Sequence, residues 1–126
     1  GSGGFIVLDE DQCVVRHTYS LARFYRHESC GQCSPCREGT GWMEKILYNI
    51  ETGKGKMSDI GLLWDIQRKI EGNTICPLGD AAAWPVAAAI RHFRDEFEWH
   101  VLNPDEAQRR NFGLAHYADP LEVAVG

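Results

Sequence analysis

The chain has 126 residues, a formal net charge of −5 and a 44% hydrophobic fraction, which suits one domain with a modest core. The acidic balance argues against nucleic acid as a partner, because phosphate binding needs a basic face. The longest apolar run, Ala81 to Ile90, is broken by Pro85 and is about half the length of a membrane span. No membrane-spanning segment is therefore expected, and no secretory or Arg-rich leader pattern is visible.

The first residues, Gly1-Ser2-Gly3-Gly4, carry no initiator Met, which suits either a piece of a longer protein or residues left by cloning. Phe5 to Leu8 is an apolar run between glycines and acids and reads as one short strand within residues 1–10. A single strand cannot form a sheet, so its partners are expected upstream. The first helical pattern runs from about Asp11, a suitable N-cap, to Arg26, with Val14, Thr18, Leu21, Ala22 and Tyr25 on one face. Ser34-Pro35 opens the second, Ser as cap and Pro at the first helical position, with Trp42, Ile46, Leu47 and Ile50 as its buried stripe. Gly39 and Gly41 weaken its first turns, so something beyond propensity must hold them.

The third helix starts at Met57-Ser58, with Ser58 as cap and Met57 placed to staple onto Leu62. Ile60, Leu63, Trp64 and Ile70 form its apolar side. The fourth has the strongest period: Val86, Ile90, Phe93, Phe97 and Val101 align, with Asp80 or Pro85 marking its start. Asn103-Pro104 ends it, and residues 103–126 read as an irregular tail. The expected fold is all-α: a small four-helix bundle over residues 11–102, preceded by the single short strand.

Cysteine use sets this chain apart. Cys30, Cys33 and Cys36 are spaced C-x2-C-x2-C, and Cys76 stands alone before Pro77. Three close thiols and a remote fourth suit a [4Fe–4S] cluster, in which each iron takes one protein thiolate. In an up-down-up-down bundle the loop before the second helix and the loop before the fourth fall at the same end. The stretch from Cys36 to Cys76 is then one helical hairpin, out and back.

The second and fourth helices begin beside the cysteines, and their positive ends suit an anionic cluster. Arg37 adds a cation, and backbone N–H groups of Gly31, Gln32 and Gly79 are candidate donors to sulfur. Two other readings stay open. Structural zinc also uses four Cys, although usually as two C-x2-C pairs, and would make this a zinc-stapled interaction domain. A C-x-x-C dithiol site needs a thioredoxin-like setting, which is not apparent. A disulfide framework fits poorly with five cysteines, four of them in this pattern.

The remaining polar residues read more plainly. Cys13 is expected to be an ordinary core cysteine of the first helix. His17, His27, His92, His100 and His116 are scattered. Trp84 reads as packing, and Arg94, Asp95, Glu96 and Glu98 as the wet side of the fourth helix. No nucleophile–base pair, phosphate loop or substrate pocket stands out, so no catalytic residue is expected.

The run Glu28-Ser29-Cys30-Gly31-Gln32-Cys33-Ser34-Pro35-Cys36-Arg37-Glu38-Gly39 resembles the E-S-C-G-x-C-x-P-C-R-x-G signature of the NADH-binding flavoprotein subunit (51 kDa, or F subunit) of respiratory complex I. Thr74 to Ala81 is similar to that family's second cysteine segment, and Arg91 to Phe97 to its R-H-F-x-D-x-[FY] stretch. The resemblance spans roughly residues 1–101. The glycine-rich start followed by a strand is similar to the family's junction between a small β domain and its helical bundle.

The resemblance implies that Cys30, Cys33, Cys36 and Cys76 hold one [4Fe–4S] cluster. It implies electrons arriving singly from FMN, itself reduced by NADH, and leaving toward the iron–sulfur subunits next in line and finally quinone. The FMN and NADH sites of the family lie upstream of the matched region, so this stretch alone is not expected to oxidise NADH. The resemblance also implies a peripheral position on the cytoplasmic side of the inner membrane, or on the matrix side in mitochondria. The same module in an NAD-linked hydrogenase or formate dehydrogenase is the alternative. Leu102 to Gly126 has no cysteine, which tilts the expectation toward complex I.

Overall fold

A computed structural model of the chain describes residues 3–107. They form α1 (Val14–Glu28), α2 (Ser34–Glu51), α3 (Met57–Ile70) and α4 (Leu78–Leu102). A further helical turn follows over 104–107, with Ala107 buried. The tail expected from residue 103 thus begins helical, and its remainder, 108–126, lies outside the described residues.

The expected strand is not formed among the described residues. Residues 4–9 take no regular structure, and Phe5, Ile6 and Val7 are exposed. A strand is defined by paired backbone groups, and apolar composition supplies none of that pairing.

Each helix start differs from its local signal by a few residues. Cys13, not Asp11, caps α1: its backbone is extended (φ −89°, ψ 115°) and its sulfur accepts the Arg16 N–H at 3.4 Å. The Val14 N–H donates to Glu96 Oε1 on α4, at 2.9 Å. A side chain 82 positions away therefore fills a role usually met locally. Cys33, not Ser34, caps α2, which makes Ser34 the first helical residue and Pro35 the second. Lys56, not Ser58, caps α3, and Asp59 Oδ2 accepts the Lys56 N–H at 2.8 Å. α4 begins at Leu78 and runs through Pro85; Asp80 lies in its first turn and accepts the Gly72 N–H at 2.8 Å, tying the α3–α4 loop to the helix.

α1 packs against α2 and α4, α3 packs against the same two helices, and α2 and α4 touch across the centre. The core holds Val15 and Ala22 of α1, Met43, Leu47 and Ile50 of α2, Ile60, Leu63 and Ile70 of α3, and Ala83, Val86, Ile90 and Phe97 of α4. Each of the larger side chains is worth about 1.5–3 kcal/mol when fully buried.

Two expected core residues are displaced. Trp42 is exposed at the margin of an apolar groove of about 650 Å³ between α2 and α3. Phe93 is exposed at the point where α4 leaves helical geometry (φ −131°, ψ 31°), while Phe97 and Val101 beyond it still meet the core. Met57 and Leu62, expected to staple, are both exposed.

Gly39 explains how α2 tolerates glycine near its start. A Cβ there would fall 2.6 Å from the Ile70 side chain, so its absence lets α2 and α3 approach closely. Gly61, within α3, faces open space. Gly39→Ala should therefore destabilise the bundle by about 1–3 kcal/mol through overpacking, whereas Gly61→Ala should stabilise it by about 0.5–1 kcal/mol through helix propensity. Urea denaturation midpoints moving in the same direction for the two variants would refute this account of α2–α3 packing.

Candidate metal centre

The five residues between α1 and α2, the first turn of α2 and the seven residues between α3 and α4 carry the cysteine pattern. α1 closes with the Ser29 N–H donating to the Tyr25 carbonyl at 3.0 Å. Gly31 then takes φ +79°, a left-handed turn that glycine adopts without strain. This reversal leaves Cys30 exposed, Cys33 half-buried at the cap of α2, and Cys36 buried in its first turn.

Cys76 is exposed on the second loop. There the Thr74 hydroxyl donates to the Cys76 carbonyl at 3.0 Å. Gly79 is buried against Thr74 so tightly that a Cβ would lie 2.3 Å from Oγ1. The two loops meet: the Ile75 N–H donates to Cys33 Sγ at 3.4 Å. Cys36 Sγ lies 3.2 Å from the Ser29 hydroxyl.

None of the four thiols is in a disulfide. Neither Cys33 nor Pro77, the residues capping α2 and α4, offers a side-chain hydrogen bond to its helix. First-turn N–H groups are left facing the loops, a setting that favours negative charge. Four thiols on two joined loops, beside two helix starts, fit an anionic cluster that needs four thiolates.

Arg37, expected to add positive charge beside the cysteines, is engaged with its own loop. Its guanidinium donates to the Gly31 carbonyl at 2.8 Å and the Ser34 hydroxyl at 3.4 Å, and it pairs with Glu38 at 3.0 Å. It clasps the cysteine loop onto α2. Among the described residues, the N–H donor to a loop sulfur is Ile75; Gly31 donates to Ser29 Oγ instead. Nothing in the residue type of Ile75 marks it, because only its backbone takes part.

Trp84 is half-exposed and donates to Glu71. Arg94 and Glu98 form the surface pair expected on α4, but Glu96 does not stay in solvent: it caps α1.

Cys13 also departs from its expected role. It lies at the start of α1, half-buried, with Sγ 3.1 Å from His100 Nε2. Burial pushes its thiol up to about 12, helped by the Glu51 and Glu96 carboxylates and opposed by the backbone N–H groups of Arg16 and Val15. It takes no part in the loop cluster at the other end of α1.

Bundle and loops together define a class: an all-helical module with four thiols toward one end, a donor set that suits an iron–sulfur centre. The model of the NADH-ubiquinone oxidoreductase-F iron-sulfur binding region matches residues 16–100, and the chain belongs to that family, whose cofactor is a [4Fe–4S] cluster. It is 48% identical over 115 residues to the F subunit of the NADH-quinone oxidoreductase of Rickettsia typhi, covering 91% of this chain and 25% of the relative. An F subunit of the same enzyme in Rhizobium meliloti is 47% identical over 101 residues, covering 80% of this chain and 23% of the relative. Among solved structures, a chain of NAD+-reducing [NiFe]-hydrogenase in the H2-reduced state superposes with a TM-score of 0.72 at 31% identity, over 90% of this chain and 21% of that one. The chain thus spans about a quarter of the length of the curated relatives it matches.

If Arg37 is the clasp of the cysteine loop, Arg37→Ala should cost about 0.5–1.5 kcal/mol and speed hydrogen exchange across residues 30–33. Arg37→Lys should recover less than half of that, since one ammonium lacks the planar fork. Exchange rates unchanged in Arg37→Ala would show that the loop is held without it.

Proposed function

We propose that this chain is the electron-exit module of an NADH-quinone oxidoreductase F subunit, with Cys30, Cys33, Cys36 and Cys76 as the four ligands of its cluster. Residues 11–102 form the functional unit in this reading, and the stretch before it is what joins it to an upstream β domain. The observation that carries the reading is the contact between the two cysteine loops, made through Ile75 and Cys33. When bound, the cluster supplies a one-electron redox centre between FMN reduced by NADH and the iron–sulfur subunits that follow.

The chain's own residues have definite tasks. Cys33 and Cys36, at the cap and in the first turn of α2, present their sulfurs from a rigid element. The Ile75 N–H and Ser29 hydroxyl, at 3.4 and 3.2 Å, stabilise negative charge on Cys33 and Cys36 and so favour the reduced state. Cys30 and Cys76 are exposed, so this end of the bundle opens toward neighbouring groups. The apolar groove between α2 and α3 begins beside the cysteines, at Ser34 and Pro35, and supports a protein neighbour on that side.

No helix among the described residues is long and apolar enough to cross a membrane. The likeness to F subunits supports a position at the membrane periphery, which this reading puts on the cytoplasmic side of the inner membrane or on the matrix side in mitochondria. The superposition on a hydrogenase chain favours a second reading, the same module in an NAD-linked hydrogenase. The higher identity to F subunits, 48% against 31%, favours the first.

Cys76→Ala should reduce iron from about four atoms per chain to a small fraction of that and remove the low-temperature paramagnetic resonance signal of the reduced protein. A full four-iron signal in that variant would remove Cys76 from the ligand set. A wild-type chain holding zinc and no iron in the loop thiols would sink the redox reading altogether.

A further inference from the structure

α4 leaves helical geometry at Phe93, and the turns beyond it carry Glu96 and His100. Four residues apart, these two share a helix face. Cys13 meets them from the start of α1, and Cys13 Sγ, a Glu96 oxygen and a His100 ring nitrogen all lie within 4.8 Å of one another. Cys13 Sγ and His100 Nε2 are 3.1 Å apart. The group is sheltered: His100 is 3% exposed, and Cys13 and Glu96 are half-buried.

We propose that Cys13, Glu96 and His100 form a second metal site, for a divalent ion of the zinc class, at the end of the bundle opposite the cysteine loops. The 15 residues of α1 separate the two ends, roughly 20 Å at the helical rise. Thiolate, imidazole and carboxylate form a donor set that zinc accepts, and three protein ligands leave one position open for water or another group.

A further carboxylate supports the imidazole. Glu51 Oε2 lies 4.0 Å from His100 Nδ1, and its side chain is 4% exposed. At that distance Glu51 makes no hydrogen bond to the ring; its buried carboxylate adds negative charge beside the imidazole, which favours a cation at the site. The charges facing the cluster are the Glu51 and Glu96 carboxylates, with Arg16 3.7 Å from Glu51 Oε1. Two carboxylates beside a thiol make a pocket that a dication neutralises; the thiol proton leaves to solvent as the metal binds, and no electron is exchanged. The bound ion would staple the start of α1 to the end of α4, closing the bundle at the end remote from the iron–sulfur cluster. It rests on no part of the electron-transfer reading.

The test is titration of the reduced full chain with Co2+ alone, read by thiolate-to-cobalt charge-transfer absorption and by metal content after gel filtration. Wild type should take up about one equivalent more than Cys13→Ser or His100→Gln, and each variant should lose the matching share of absorption. Glu51→Gln should keep the stoichiometry and weaken affinity by removing one of the two carboxylate charges that face the site. Far-UV dichroism identifies any variant that has not folded. In the unaltered chain, Zn2+ alone should slow alkylation of Cys13 as read by peptide mapping. Equal cobalt uptake by wild type and both folded variants, or alkylation of Cys13 unchanged by zinc, overturns the site.

Discussion

Four thiols brought to one end of a bundle must be delivered by backbone that has little packing of its own. Here two loops of five and seven residues carry three of them and the first turn of α2 carries Cys36, and the loops meet because α2 and α3 run out and back by comparable lengths, 18 and 14 residues. The hairpin in turn depends on the close approach of its helices at Gly39 and Ile70, where a single Cβ would intervene. Moving α3 outward there would carry Ile75 away from Cys33. Core packing and site geometry are therefore one constraint, felt at two places a turn or two apart.

Polar groups at this end are arranged to hold backbone as much as to tune charge. Arg37 fixes the turn at Gly31, Asp80 fixes the loop at Gly72, and Thr74 fixes the carbonyl of Cys76 while filling the space that Gly79 leaves. Each is a short-range bond within or beside a loop that has little apolar area of its own. Loops of this kind stay ordered only when their backbone groups find partners. The opposite end of the bundle solves a related problem with long-range partners: Glu96 caps α1, and Cys13, His100 and Glu51 cluster beneath that cap.

Much of this was legible in the residue order. Helix count, approximate spans and most of the buried stripe follow from period and from turn residues such as Ser34-Pro35 and Gly72-Asn73. The assignment of the four loop cysteines to one end follows from counting helices between them. The misses share a cause. Asp11 and Ser58 are good caps by type, yet Cys13 and Lys56 occupy those places, because the packing of a helix against its neighbours sets its start. Phe93 fits the stripe of α4 by period and leaves it at the kink. Phe5 to Leu8 has strand composition, and a strand requires a partner.

The sequence by itself determined the thiol spacing and the fold class, because cysteine positions and hydrophobic period are local properties written within a few residues of one another. Tertiary structure alone decided which backbone N–H reaches a loop sulfur, why Gly39 suits the close approach of α2 and α3, and that Cys13, Glu96 and His100 come together across a separation of up to 87 positions. Those facts depend on distances between residues far apart in order, and such distances exist only once the helices have packed.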